Sequence, residues 1–176
     1  MNQEDAALTL KLARGVFFRA MLAGYAGNGN GKNDKIVKTK SSNGNEVTII
    51  FNEGDFMVID RYYVTPGFNT LAGMTLIFFK GNPIWWMSYG GEYPKEVIPF
   101  LKLVLAEEYR IGSFRGGRGP IEWADKKYRY RNRPTGNTCF DSFFGREEIT
   151  IASSNGLIGF HDYQGASMIG HPPMVL

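Results

Sequence analysis

The stretch GNPIWWMSYGG, residues 81–91, predicts a β-strand with large side chains on both faces. Successive side chains of a strand point to opposite sides of the sheet, so Trp85, Met87 and Tyr89 share one side. Trp86 lies on the other side. Because both faces are bulky and apolar, we expect a helix to cover one face. The other face is expected to meet more of the protein, a partner or a ligand.

The flanking sequence predicts two helices and two groups of strands. Periodic apolar residues indicate helices at 4–23 and 94–110. Apolar and aromatic runs bounded by glycine turns indicate strands at about 46–51, 55–63, 72–80, 83–89, 120–131, 142–151 and 156–163. This order predicts an α+β protein in which two helices pack on a strongly curved antiparallel sheet.

The composition indicates a single domain over residues 1–176. Apolar residues make up 43% of the chain, enough to bury a sizeable core, and the net charge is only +3. The Gly/Asn/Lys-rich segment 25–46 predicts a flexible loop. Residues 167–176 predict an irregular tail, whose apolar end, Met174 to Leu176, is a candidate contact with a neighbouring molecule.

Charged residues argue against membrane insertion of the apolar N-terminal segment. Lys11, Arg14 and Arg19 interrupt it, whereas a membrane helix needs about 20 predominantly apolar residues. Glu4 and Asp5 lead the segment, unlike the positive start of a signal peptide. One cysteine and two histidines fit a reducing compartment and are too few for a Cys/His zinc site. We therefore expect a cytoplasmic protein without a metal or cofactor.

The second half of the chain repeats features of the first half. A shift of 72 residues, increased by two at the last hairpin, aligns Phe56 with Tyr128, Phe68 with Phe140, Gly73 with Gly145, Ile77 with Ile149, Tyr89 with Tyr163 and Gly91 with Gly165. These matches suggest an internal duplication, in which each half is a helix followed by an antiparallel meander. Shared hairpin chemistry is the alternative explanation.

The same segments resemble a bacterial domain family of unknown function, often fused behind a helix-turn-helix domain in transcription regulators. The resemblance covers residues 12–166 and rests on the order of short motifs: YAG at 25–27, EGDFMVID at 53–60, GNPIWWMSYGG at 81–91, FLKLVL at 100–105, RGP at 118–120, FFGREEI at 143–149 and YQGA at 163–166. It implies a regulatory context and supplies no chemistry.

This chain departs from the family pattern at two positions with chemical meaning. The family's Gly-x-Glu is present at 145–147 but reads Gly-Met-Thr at 73–75, and its Tyr-His-Gly-Gly reads Tyr-Gln-Gly-Ala at 163–166. A mechanism that pairs two carboxylates, or a carboxylate with a histidine, would lose parts here. Binding is therefore favoured over catalysis, and an enzyme that uses Asp60, Glu147 or His161 is an alternative.

Two aromatic strands related by a two-fold axis would form a concave cleft with a few polar groups, as small-molecule sites do. Glu147 falls on a buried face, where a carboxylate needs a partner, and Arg118 is the natural ionic anchor. The candidate ligand-binding residues are Trp85, Met87, Tyr89, Arg118, Glu147, His161 and Tyr163. The preferred function is a non-enzymatic module for a small molecule or a regulatory protein partner. The alternative is that these residues only fill the core.

A basic strand supports a different class of function. In KKYRYRNR, residues 126–133, alternation places Lys127, Arg129, Arg131 and Arg133 on one face. Such a row can follow a nucleic-acid backbone, so nucleic-acid binding is the second hypothesis. The outer face of an antiparallel strand is also ordinarily charged, which explains the row without any partner.

Overall fold

The computed structural model of the protein describes residues 1–27 and 35–170. Within these ranges the chain forms two α-helices, α1 (Gln3–Met21) and α2 (Ile98–Ile111). The Asn2 side chain caps the start of α1 by accepting a hydrogen bond from the backbone N–H of Asp5. Two short turns adjoin the helices: a π-helical turn at Leu22–Ala26 after α1 and a 3₁₀ turn at Lys95–Val97 before α2.

In the described part of the chain, nine strands form one antiparallel sheet. They are β1 (Ile36–Lys40), β2 (Glu46–Glu53), β3 (Phe56–Val64), β4 (Thr70–Phe79), β5 (Asn82–Glu92), β6 (Glu122–Ala124), β7 (Tyr128–Cys139), β8 (Ser142–Ile151) and β9 (Leu157–Ser167). Their order across the sheet is β1-β2-β3-β4-β5-β9-β8-β7-β6, so β1 and β6 are its edges and the sheet is open. The predicted α+β class is confirmed.

The sheet consists of two meanders that meet at β5 and β9. These strands pair antiparallel, with Tyr89 directly opposite Tyr163. A shift of 72 residues converts register pairs of the first meander into register pairs of the second, such as Asp60–Thr75 into Asn132–Glu147. Strand order and register thus have the two-fold relation that the predicted duplication requires.

Both helices pack on the same face of the sheet, called here the helix face. Phe17 of α1 lies 5.3 Å from Trp85, and Phe100 of α2 lies 5.3 Å from Tyr128, measured between ring centroids. Trp85 and Met87 are fully buried, whereas Trp86 on the opposite face is half-buried. The alternation predicted for this strand is confirmed, and helices cover only one of its faces. The opposite face is called the open face.

One strand lies where the sequence predicts a loop. Within the segment 25–46, residues Ile36–Lys40 form β1, which pairs with β2. Only Ile36 of β1 is half-buried, and the other four residues are exposed, so the sequence lacks the apolar alternation that reveals most strands. Residues 28–34 of that segment lie outside the described ranges.

The predicted strand at 120–131 is two strands with a turn between them. The Asp125 carboxylate accepts hydrogen bonds from the backbone N–H groups of Lys127 and Tyr128, each at 2.7 Å. This local bonding competes with the sheet ladder and separates β6 from β7. The helix predicted from residue 94 begins at Ile98, after the 3₁₀ turn. Residues 171–176, with the predicted docking end of the tail, lie outside the described ranges.

Trp85 is predicted to contribute strongly to stability. Its ring stacks on Phe140 at 4.6 Å, and its Nε1–H donates to the Phe140 carbonyl at 2.6 Å. We expect Trp85→Ala to lower the free energy of unfolding by about 3–5 kcal/mol, because it leaves a cavity and an unpaired carbonyl. The matched Trp86→Ala, on the open face, should cost less than half as much. Urea unfolding measures both, and equal losses would contradict the assignment of faces.

Candidate functional site

A glycine-rich segment carries an arginine into the core. Residues 113–120 connect α2 to β6, and Gly116 to Gly119 lie buried against the helix face. The absence of side chains permits this approach, because a Cβ on Gly117 would lie 2.6 Å from the ring of Tyr163. Arg118 is consequently only 4% exposed.

Arg118 is held by charge and by aromatic rings. Its Nη2 donates to Glu147 Oε1 in an ion pair and also lies 2.9 Å from Nδ1 of His161. The guanidinium lies over two tyrosine rings, 5.1 Å from the centroid of Tyr89 and 5.7 Å from that of Tyr25. Such contacts stabilise a desolvated cation. The ion pair predicted between Arg118 and Glu147 is present.

The carboxylate of Glu147 has a second hydrogen bond, from the Tyr130 hydroxyl to Oε2 at 2.9 Å. His161 is adjacent but uncharged, because burial, followed by the positive charge of Arg118, lowers its pKa to about 2. Its Nδ1 therefore accepts from Arg118, which places the ring proton on Nε2. Three buried polar atoms have no hydrogen-bond partner among the described residues: Arg118 Nε, His161 Nε2 and Tyr109 Oη.

The other half contains a related but weaker network around Asp60. The carboxylate of Asp60 accepts from Thr75 Oγ1 at 2.8 Å and from the Tyr89 hydroxyl at 2.7 Å. Burial raises the pKa of Asp60, although these two hydrogen bonds oppose the shift. At the two-fold equivalent position, Tyr163 donates its hydroxyl to the side-chain oxygen of Asn132. Each of the two networks therefore contains one buried carboxylate, Asp60 on β3 in the first half and Glu147 on β8 in the second.

The structure divides the predicted ligand residues into two groups. Four of them are in contact in one buried cluster: Arg118, Glu147, His161 and Tyr89. Tyr25 and Tyr130, which the sequence did not single out, also belong to this cluster. The remaining three lie in the apolar core or against Asn132: Trp85, Met87 and Tyr163. The guanidinium of Arg118 lies against Glu147 and occupies the space that a ligand of this carboxylate would need. The face of Trp85, Met87 and Tyr89, where the cleft was predicted, is the helix face, and among the described residues the protein's own side chains pack against it.

A cavity instead lies on the open face, at the junction of the two meanders. It has a volume of about 620 Å³ and takes lining residues from both halves, among them Ser88, Phe144, Arg146 and Gln164. Tyr89 and Tyr163 border it from the strands beneath. A second cavity of about 500 Å³ shares Ala72 and Gly73 with the first and is lined by Ile59, Tyr63, Met74 and Leu76. We call the two together the junction groove.

The polar end of the junction groove contains an ion pair. Arg146 binds Asp162 through two hydrogen bonds, of 2.6 and 2.7 Å, and lies 4.3 Å from the ring centroid of Phe160. Phe144, nearby, is half exposed to solvent. One end of the groove therefore offers charge and hydrogen bonds, and the other end offers apolar contacts.

The basic row on β7 also lies on the open face, and its three arginines form ion pairs with neighbouring glutamates. Arg129 and Arg131 lie 3.4 and 3.5 Å from Glu122, and Arg133 lies 2.8 Å from Glu148. Lys127 precedes the strand, with its ammonium 4.8 Å from the centroid of the Tyr128 ring. Much of the positive charge that a phosphate backbone would meet is therefore already paired.

Residues 60–168, more than half of the chain, match a family described as a domain of unknown function, DUF5680. The chain belongs to this family. The matched region of the DUF5680 domain runs from the middle of β3 to the first residue after β9 and so contains both Glu147 and the junction groove. Neither the curated proteins nor the solved structures contain a match to the chain.

The described residues of this DUF5680 chain contain no helix with the length and apolar character needed to cross a membrane. Nor do they contain a group of three or more His, Cys, Asp or Glu side chains placed to hold a metal ion.

We expect Glu147→Gln to lower the free energy of unfolding by about 3–5 kcal/mol, because the buried guanidinium of Arg118 loses its counter-charge. The matched Glu148→Gln breaks a surface pair with Arg133 and should cost about 1 kcal/mol or less. Chemical denaturation at neutral pH compares the two variants. The double variant Arg118→Met/Glu147→Leu should lose less stability than the two single changes added together. Additive losses would show that the pair is not coupled.

The depressed pKa of His161 predicts acid sensitivity. In the unfolded chain this histidine binds a proton as the pH falls through about 6.5, but in the folded protein it stays neutral until about pH 2. Stability is therefore lost as the pH falls, by roughly 2 kcal/mol between pH 7 and pH 5. In His161→Gln, which can still accept from Arg118, the pH dependence over this interval should be shallower by that amount. Identical pH profiles for wild type and variant would refute the assignment.

Proposed function

We propose that the protein is a non-enzymatic binding module whose small-molecule ligand occupies the junction groove. The observation that carries the proposal is the cavity of about 620 Å³ on the open face, lined by residues of both meanders. Ligand sites are typically concave, of roughly 300–1,000 Å³, and mostly apolar with a few placed polar groups. The face of Trp85, Met87 and Tyr89, where the sequence predicted a cleft, is packed by described residues of the helices, whereas the same strands border a cavity on their other side.

The groove favours an amphipathic ligand. Ser88 and Gln164 supply hydrogen-bonding groups beside the Arg146–Asp162 pair, where an acidic or amide group of a ligand can bind. About 500 Å³ of adjoining space is bordered mainly by apolar side chains such as Met74 and Leu76, which suit a ring or hydrocarbon portion. Arg61, which pairs with Glu46, also lines this space. The ligand class is therefore a small molecule with one polar end and one apolar end.

The buried network keeps the floor of the groove in place. Tyr89 and Tyr163 border the groove, and each phenol is fixed on the helix face by a hydrogen bond, to Asp60 and to Asn132 respectively. Locked side chains beneath a site keep it preorganised, which lowers the ordering cost of binding. In this proposal the candidate residues of the helix face act as the support of the groove.

The two other function classes have less support. An enzyme that used Asp60, Glu147 or His161 would need these groups to reach a substrate, and all three are at least 98% buried. His161, with its pKa near 2, is also a poor proton acceptor at neutral pH. Nucleic-acid binding by the basic row would compete with the existing ion pairs of three of its members, Arg129, Arg131 and Arg133, with Glu122 and Glu148. The fourth member, Lys127, has no part in these pairs. No observation favours either class over ligand binding.

The regulatory part of the proposal rests on the family resemblance. That resemblance implies a domain joined to a helix-turn-helix domain in a bacterial transcription regulator, where binding of a ligand would regulate DNA binding. We therefore propose a sensing role in the cytoplasm, in which occupation of the junction groove is communicated to a partner domain or protein.

A thermal-shift screen against amphipathic metabolites tests the proposal. At least one compound should raise the melting temperature of the wild type by roughly 5 °C when present at about 100 times its Kd. Ser88→Trp fills the groove and should abolish the response. The matched Ser142→Trp, on the same sheet but outside the cavity lining, should retain it.

Gln164→Trp provides a second blocked variant if Ser88→Trp does not fold. The proposal fails if no compound stabilises the wild type, or if the blocked variants respond as strongly as Ser142→Trp. A response that is lost with Tyr25→Ala but kept by both blocked variants would move the ligand to the helix face and would also contradict it.

A further inference from the structure

A further hollow lies on the helical side of the molecule, whereas the junction groove lies on the open face of the sheet. It has a volume of about 460 Å³ and lies between α1 and the carboxyl-terminal end of α2. Four of its lining residues are cationic: Lys11, Arg14 and Arg19 from α1, and Arg110 from α2. The hollow therefore concentrates positive charge in a protein whose net charge is only +3.

Ion pairing accounts for only one of these four charges. Arg19 donates from Nε to Glu53 at 2.9 and 3.2 Å. Lys11, Arg14 and Arg110 form no ion pair with any carboxylate among the described residues. The helix dipole stabilises the positive charge of Arg110 in the last turn of α2. Lys11 and Arg14 lie in the middle of α1, where the dipole does not stabilise a positive charge.

The floor of the hollow is aromatic. Phe18 and Tyr109 line it, with ring centroids 6.1 Å apart and ring planes inclined by 40°. Two glycines stand at its border and leave room: Gly112, whose φ of 71° also ends α2, and Gly15, where a Cβ would lie 3.2 Å from Nη1 of Arg19. Exposed cations thus surround a partly apolar depression of the size of a small-molecule site.

We infer that this hollow is a binding site for a phosphate-bearing small molecule with a planar apolar portion. The unpaired cations would contact the phosphate oxygens. The planar portion would pack against Leu22 and the small exposed parts of Phe18 and Tyr109, which are 5% and 2% exposed. The charges surround a hollow and do not follow a track, which favours a compact anion over an extended nucleic acid. The site lies on the helical side, so its existence is independent of the junction groove.

Calorimetric titration of the full chain with pyrophosphate and with adenosine triphosphate tests the inference. Both should bind at about 50 mM salt and more weakly at about 300 mM, since the contacts are electrostatic. The triphosphate should bind more tightly than pyrophosphate, because only it carries a planar group. Lys11→Gln/Arg14→Gln, at two exposed positions that glutamine suits in a helix, should weaken both by at least about tenfold.

The control variant Lys126→Gln/Lys127→Gln removes the same charge from exposed positions between β6 and β7, and it should change the affinity by less than about twofold. Equal weakening in the two variants, or equal affinity for pyrophosphate and sulfate, would mean an adventitious ion only and would overturn the inference. So would absence of binding to the wild type. Tighter binding of a single-stranded oligonucleotide that depends on Lys127 would assign the anion contact to β7 instead.

Discussion

The ion pair between Arg118 and Glu147 is the interaction on which the centre of the molecule depends. Placing both groups in the core costs desolvation energy, which their attraction offsets only if the remaining polar atoms are also bound. Tyr130, His161 and the face of Tyr89 provide part of those contacts, whereas Arg118 Nε has no hydrogen-bond partner among the described residues. The arrangement also explains the glycine-rich segment, because side chains at 116, 117 or 119 would prevent Arg118 from reaching Glu147.

The two related meanders differ in the partners of their buried carboxylates, and only Glu147 forms an ion pair with a buried arginine. Asp60 and Glu147 occupy different strands of related hairpins, and the one glycine-rich segment reaches Glu147. Asp60 instead accepts neutral hydroxyl groups, and burial raises its pKa. The buried carboxylate of the second meander is therefore paired with an arginine, and that of the first accepts hydrogen bonds from hydroxyl groups. The two meanders meet where Tyr89 lies opposite Tyr163.

The two faces of the sheet have different proposed roles. Among the described residues, the core and its polar network occupy the helix face and support the sheet. The open face keeps a groove where the halves meet, and the outer side of the helical layer keeps a cationic hollow. The two proposed ligands, one amphipathic and one phosphate-bearing, would therefore bind to two separate surfaces on opposite sides of the core.

By itself, the sequence determined the α+β class, the two helices, most strands and the sides of β5, because each depends on a local period of side chains. It also indicated that a buried Glu147 requires Arg118, since a carboxylate on an apolar face needs a partner. Only the tertiary structure decided that Arg118 fills the predicted cleft, that β1 joins the sheet and that the groove opens on the other face. Those outcomes depend on which distant residues cover each surface, and local sequence patterns carry no record of that.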